Sequence, residues 1–136
     1  MAFEYTVNLA QEHVRMIGTG PFAGREWING IRQLAADPRY QPHFTILIDL
    51  RALKFEPSRQ SEVVEVAEIL AGLEAWYKNH IAIVAQGAAL LAAEALAVFV
   101  RISGHISMRV FIDESAAELY CQTGHDPVRQ SSAVLT

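Results

Sequence analysis

The sequence predicts an α/β fold in which a mixed sheet of about five strands is partly covered by about four helices. Two alternating apolar segments near the N-terminus predict a β-hairpin. Three β-branched runs come later, and a segment with helical periodicity follows each of them. Strands that alternate with helices pair in parallel through right-handed crossovers. Because the hairpin strands pair antiparallel, the expected sheet is mixed.

The N-terminal elements are predicted from the spacing of their apolar residues. Every second position is apolar in segments 3–9 and 13–18, and the turn between them lies at 11–12. A first helix is predicted over 23–36, where Trp27 and Ile31 lie on one helical stripe. Asp37 and Pro38 end this helix, because a residue before proline disfavours helical backbone.

The remaining elements are strand–helix units. The last helix begins at Asp113 or Ser115 and ends near Gly124. Residues 1–124 therefore form one predicted domain, and 125–136, which lack periodicity, form a flexible C-terminal tail. The other strands are predicted over 44–50, 80–85 and 106–112, and the other helices over 58–78 and 88–103.

Composition and charge exclude several classes of protein. Hydrophobic residues make up 51% of the 136 residues, which is too apolar for a disordered chain. The net charge is −4 and no cluster of Lys and Arg is present, so nucleic-acid binding is not expected. The single cysteine, Cys121, permits no internal disulfide and fits the reducing cytoplasm. The N-terminus lacks the basic start and apolar block of a signal peptide.

The apolar segment 81–100 has the length of a membrane span. However, Glu94 lies inside it, and Gln86 and Gly87 interrupt it. A β-branched run, a glycine turn and an Ala/Leu-rich run predict a buried strand, a loop and a helix. No membrane span is therefore expected.

Three stretches of the sequence support a resemblance to a known superfamily. They are the hairpin with its Gly-Thr-Gly exit at 18–20, ADPRYQPHFTILIDLRAL at 36–53 and MRVFIDESAAE at 108–118. In this order they resemble the STAS-like superfamily, the fold of the anti-sigma-factor antagonists. They resemble more closely the small bacterial STAS/CRAL-TRIO-like domain proteins of unknown function. The resemblance covers about residues 3–122 and implies a STAS-like fold in a bacterial protein, without a particular activity.

Ser58 begins the predicted second helix and permits two interpretations. The resemblance aligns 49–50 with a strand end of the antagonists, so Ser58 falls where a partner kinase phosphorylates their serine. Pro57 replaces the acid found before that serine, and 59–60 replaces its Ser-Gly. The other interpretation is a helix cap, in which the hydroxyl accepts a hydrogen bond from a free backbone N–H. The cap is the expected role.

Polar residues at the carboxyl ends of the parallel strands are candidates for ligand binding, because α/β sheets bind ligands at that end. They are Asp49, Arg51, Gln86, Gly87 and Asp113. Asp49 and Arg51 suit the positioning of a small polar ligand. The alternative is that Asp49 accepts loop N–H bonds while Arg51 is solvated. The sequence contains no nucleophile elbow, phosphate loop or zinc-protease motif.

Three histidines stand at or just before the starts of the parallel strands, namely His43, His80 and His105. Neighbouring strands lie about 4.8 Å apart, so two of these side chains could reach one metal ion. Zinc sites use three or four ligands, which makes these histidines weak candidates. No metal and no cofactor is therefore expected.

The third predicted helix is apolar around most of its circumference, and Glu94 and Arg101 mark its polar side. A helix packed on a sheet needs an apolar stripe of roughly 100°. The surplus is expected to meet a second subunit, an apolar ligand, or the tail or last helix of the same chain. A second subunit is the simplest of these, because most soluble oligomers are twofold homodimers. The interface candidates are Leu96, Phe99 and Val100, and Val100→Glu is expected to split the dimer.

Three functions follow, in this order of preference. The first is a non-enzymatic, cytoplasmic protein–protein interaction or regulatory module that forms a homodimer and binds an unidentified protein partner. The second is a carrier that holds a small apolar or lipid-like ligand beside the third helix. The third is an enzyme that uses Asp49, Arg51 and Asp113 at the carboxyl end of the sheet.

Overall fold

A computed structural model describes residues 2–124 of the chain, so the predicted tail at 125–136 lies outside the described residues. The strands are β1 (Ala2–Asn8), β2 (His13–Pro21), β3 (Thr45–Asp49), β4 (Leu53–Lys54), β5 (Ile81–Val84) and β6 (Met108–Phe111). The α-helices are α1 (Gly24–Ala36), α2 (Gln60–Ala71), α3 (Gly87–Ser103) and α4 (Glu114–Thr123).

The strands form one mixed sheet in the order β1-β2-β3-β5-β6, and β4 pairs with the end of β2. β1 and β2 pair antiparallel with Val7 opposite Val14, which confirms the hairpin. The other neighbours pair in parallel, with Ile46 opposite Ile81 and Ile81 opposite Met108. The predicted α/β fold is therefore confirmed. β4 was not predicted, because a strand of 2 residues is too short to show a period.

Different helices cover the two faces of the sheet. On one face, α1, α2 and α3 pack on side chains from every second strand position, which include Val14, Met16, Ile46, Ile48, Ile83 and Met108. On the other face, α4 packs on a smaller group formed by Leu47, Ala82, Val84 and Phe111. All 4 residues of β5 are buried, as expected for a parallel strand that is covered on both faces.

The second helix is shorter than predicted. Gly72 ends α2, and two 3₁₀ turns, Pro57–Arg59 and Glu74–Trp76, lie on either side of it. The helical spacing of apolar residues nevertheless continues to Tyr77, which is buried and donates a hydrogen bond to the Ile31 carbonyl. The apolar period therefore continues beyond the end of α2, because Leu73 and Tyr77 pack on the same core as the helix.

The two predicted helix caps have different outcomes. Asp113 caps α4, because its Oδ1 accepts the Ser115 N–H at 3.3 Å. Gly124 ends the same helix with a φ of 72°, a left-handed conformation that favours glycine. Ser58, in contrast, caps neither its 3₁₀ turn nor α2, since both begin without a side-chain cap. The predicted cap role of Ser58 is wrong, because Pro57 begins the turn and places Ser58 inside it.

The apolar segment 81–100 is divided between β5 and α3, as predicted, with Gln86 preceding the helix. Within residues 2–124, no helix combines the length and the apolar character that crossing a membrane requires.

Candidate functional site

Asp49 ends β3 at the carboxyl end of the sheet and holds the loop that follows it. Its Oδ1 accepts the backbone N–H of Arg51 and the Arg51 Nε–H, both at 3.0 Å. Its Oδ2 accepts a hydrogen bond from Arg51 Nη2 at 2.8 Å. An aspartate that accepts the amide two residues ahead closes a turn, and the two-pronged guanidinium contact is a strong ion pair. Asp49 therefore accepts a loop N–H. The Arg51 side chain is half-exposed, and its guanidinium is paired with the Asp49 carboxylate.

Arg15 and Glu114 extend this pair into an ion network of four side chains. Arg15 lies on β2 and reaches across the neighbouring strand, where its Nη2 is 3.4 Å from Asp49 Oδ2. The same Nη2 is 2.5 Å from Glu114 Oε1 at the start of α4. Arg51 Nη2 is 3.4 Å from Glu114 Oε2. Each guanidinium therefore faces two carboxylates, and the network joins β2, β3 and α4.

The positive and negative side chains of this network neutralise one another. The hydrogen bond from Arg51 is the main cause that lowers the pKa of Asp49 below its ordinary value of 3.8. The Asp49 carboxylate in turn raises the pKa of the Arg51 guanidinium. A carboxylate with a lowered pKa is a weak general base, because it resists taking up a proton at neutral pH. The arrangement fixes the loop after β3 and ties α4 to the sheet.

The structure groups some of the other predicted residues with this network. Gln86 Nε2 donates a hydrogen bond to the Arg51 carbonyl at 3.2 Å. Gly87 is the next residue and has a φ of 61°. Asp113 is the N-cap of α4 and directly precedes Glu114, which belongs to the network. Ser58 lies on an exposed turn, and no hydrogen bond joins it to the network in the part of the chain that the structure describes.

The histidines belong to the opposite end of the sheet. His43 and His80 line the same open groove, with His43 Nε2 2.6 Å from Glu12 Oε2 and His80 Nδ1 3.0 Å from Ser107 Oγ. His105 is exposed and has a φ of 55°. Among residues 2–124, no group of three or more His, Cys, Asp or Glu side chains is arranged to hold a metal ion.

His13 lies in the same groove and was not predicted, because it appears in the sequence as the first residue of an alternating strand. Its Nδ1 is 2.8 Å from Thr45 Oγ1 on the neighbouring strand. Burial, followed by the nearby Arg15, lowers the pKa of His13 below 6.5. Burial, followed by Arg109, lowers the pKa of His80 in the same way. Both shifts therefore favour the neutral form of the ring.

We expect the free energy of unfolding to decrease as the pH falls from about 7 to about 5. The pKa values of His13 and His80 lie below 6.5 in the folded protein, so the unfolded chain binds more protons in this interval. The stabilisation is fully present above 6.5, the pKa of both histidines in the unfolded chain. It is lost as the pH falls through their lower pKa values in the folded protein. Urea unfolding at several pH values should show a weaker dependence of the free energy of unfolding on pH for a His13→Gln/His80→Gln variant than for the unmodified protein. An unchanged dependence in the double variant would contradict this assignment.

Two of the three residues predicted for an interface on α3 are part of the protein core. Leu96 is 3% exposed and Val100 is 0% exposed, while Phe99 is half-buried. The assignment of Leu96 and Val100 to an interface is therefore wrong. The physical reason is that a helix apolar on all sides does not reveal from its sequence which side packs on the sheet.

The apolar surplus predicted for α3 is present on the side that faces away from the core. Leu91, Val98 and Ile102 are 71%, 45% and 72% exposed, and the exposed Ala95 lies between them. Residues three or four positions apart on a helix are neighbours on its surface. These four side chains, which we term the outer stripe, therefore form one apolar line along α3.

Comparison with known proteins supports the fold. No family model matches the chain, and no curated protein matches it. Among solved structures, the chain is similar to an uncharacterized protein of the DUF3478 family with a SpoIIAA-like fold from Shewanella loihica PV-4. The two chains are 16% identical, with a TM-score of 0.55 over 88% of this chain and 93% of that one. At this identity the likeness shows the fold alone, which is SpoIIAA-like.

Proposed function

We propose that this protein is a non-enzymatic, cytoplasmic interaction module of STAS-like fold that works as a homodimer through the outer stripe of α3. The observation that supports the proposal is the exposure of three large apolar side chains, Leu91, Val98 and Ile102, along one helix. Removing apolar surface from water is favourable by about 25 cal/mol per Å². Contiguous exposed apolar patches are accordingly typical of interaction sites.

A second copy of the chain is a suitable partner because the outer stripe is symmetric about its own midpoint. Leu91 and Ile102 lie equally far from this midpoint along the helix, and so do Ala95 and Val98. In a twofold antiparallel pair of helices, Leu91 would face Ile102 of the partner subunit, and Ala95 would face the partner's Val98. The small side chain of Ala95 lets the two helices approach closely.

The ion network at the carboxyl end of the sheet supports the non-enzymatic part of the proposal. Catalysis by acid–base chemistry needs a side chain whose pKa is near the working pH. The Arg51 hydrogen bond lowers the pKa of Asp49 and so moves it away from neutral pH. The Asp113 side chain is used as a helix cap. We therefore expect that no candidate substrate is turned over in a reaction that requires the Asp49 carboxylate.

We expect Val98→Glu to convert the dimer into a folded monomer. The substitution would place a carboxylate inside an apolar contact, where a charge is costly. Size-exclusion chromatography with light scattering, over a series of protein concentrations, measures the mass. Val64→Glu is the matched control, because Val64 on α2 is 47% exposed and Val98 is 45% exposed. The Val64→Glu variant should remain a dimer.

The proposed register is tested by exchanging charges across the twofold axis. Leu91→Lys and Ile102→Glu should each weaken the dimer, whereas the double variant should restore it, because each lysine would face a glutamate of the partner subunit. The dimer proposal fails if the unmodified protein is a monomer at every concentration. It also fails if Val64→Glu and Val98→Glu weaken association equally.

A further inference from the structure

An apolar cavity of about 20 Å³ lies on the inner side of α3, at the carboxyl end of the sheet. Its walls include Phe22 after β2, Leu50 after β3, and Ala89 and Ala92 in the first turns of α3. This is the end of an α/β sheet at which ligands bind. The cavity lies on the opposite side of α3 from the outer stripe, and it has no part in the proposed dimer.

Trp27 of α1 also lines this cavity, and its side chain carries a buried polar atom without a hydrogen-bond partner. The residue is 3% exposed, and its Nε1 has no hydrogen-bond partner among residues 2–124. Its ring contacts are edge-on to Phe3 at 5.3 Å and to Phe22 at 6.3 Å between centroids. A buried tryptophan N–H usually has an acceptor, because leaving it unpaired costs free energy. An acceptor atom that reached the indole N–H would therefore be favoured there.

The residues that line the cavity limit the chemical class of a ligand that could carry this acceptor. The described side chains that line it are all apolar or aromatic, so a carboxylate or phosphate would lack a counter-charge. A water molecule needs two to four polar partners, and among these side chains only Trp27 offers one. Leu53 of β4 and Phe55, which follows this strand, are the partly exposed members of the wall and form its outer rim.

We infer that this cavity binds a small, neutral, apolar molecule with one hydrogen-bond acceptor, such as a ketone, ether or ester, whose oxygen accepts the Trp27 N–H. The volume is close to that of one water molecule, so a ligand of several non-hydrogen atoms requires the rim at Leu53 and Phe55 to move outward. The inference is independent of dimerisation, since none of the outer-stripe residues lines the cavity.

The test compares two probes of the same shape by NMR of the ¹⁵N-labelled protein. Cyclopentanone carries a carbonyl oxygen, and methylenecyclopentane carries a CH₂ group in its place. Cyclopentanone should shift the Trp27 indole N–H resonance saturably and bind roughly fivefold more tightly than the hydrocarbon, the effect of one net hydrogen bond. The indole resonance of Trp76, which is 47% exposed, serves as an internal control and should not shift.

Two variants separate the contribution of the hydrogen bond from that of the cavity. Trp27→Phe should abolish the preference for the ketone, and Ala92→Leu should fill the cavity and abolish binding of both probes. If Ala92→Leu does not fold, Ala89→Val serves the same purpose with a smaller addition. The inference is overturned if cyclopentanone produces no saturable shift of the Trp27 resonance, or if a folded cavity-filling variant binds it unchanged. Val98→Glu should bind the probes like the unmodified protein, so failure of the dimer would not affect this result.

Discussion

Val100→Glu is expected to unfold the protein, although the sequence pattern predicted that it would split a dimer. Val100 is 0% exposed and belongs to the main core, and its carbonyl accepts the N–H groups of Gly104 and Ile106 at 3.0 Å. A carboxylate at this position would be buried among apolar groups without a positive partner. Such a change costs several kcal/mol, which is comparable with a typical total stability of about 5–15 kcal/mol.

The measurement is urea unfolding followed by far-UV circular dichroism, with two controls. Val64→Glu places the same charge on an exposed side chain of α2, away from the outer stripe, and should leave the midpoint nearly unchanged. Val100→Ala removes apolar contacts without adding a charge and should cost about 2 kcal/mol. A folded Val100→Glu variant with the unmodified midpoint would show that Val100 is not in the core.

Gly104→Ala is expected to destabilise the protein by roughly 2 kcal/mol, because the added methyl group has no space. A Cβ atom at Gly104 would lie 2.8 Å from the Cα and 2.9 Å from the Cβ of Ala71. The first of these is a backbone atom, so the ends of α2 and α3 would have to separate. The φ of Gly104 is −114°, so it is the close contact and not the backbone conformation that requires glycine.

Gly72→Ala is the matched control for this prediction, because both glycines follow the last residue of an α-helix. Gly72 has a φ of −69°, and the nearest atom to an added Cβ would be 3.4 Å away. Alanine fits this conformation and reduces the freedom of the unfolded chain, which stabilises by about 0.4–1 kcal/mol when no strain results. The two urea midpoints should therefore move in opposite directions at unchanged slope. Equal shifts would contradict the crowding at Gly104.

The fold could be predicted because its signals are local. The hairpin alternates with a period of two, and Gln86 and Gly87 separate a β-branched run from an Ala/Leu-rich one. The end of α2 was missed for the opposite reason. Tyr77 keeps the helical spacing although Gly72 has ended the helix, since packing on one core imposes a similar period on turns and helices.

The candidate site could be predicted only in part. Asp49 and Arg51 lie at the end of an apolar strand, where ligands are expected. Arg15 could not be found, because it joins Asp49 only when β2 lies beside β3, and the sequence does not fix the order of strands. The sequence also does not show which side of α3 packs on the sheet, and Leu96 was assigned to the wrong side for that reason.

The strand order also bears on how the chain can assemble during its synthesis. β2, β3, β5 and β6 follow one another in the sheet as they do in the sequence, so each new strand extends an edge that already exists. α4 is the last helix of residues 2–124 to leave the ribosome, and it covers Leu47, Ala82 and Val84. Until it docks, that face of the nascent sheet is open to water and to other chains. α4 follows β1 to β6 in the sequence, so the Arg15–Glu114 contact between α4 and β2 can form only after these strands have been synthesised.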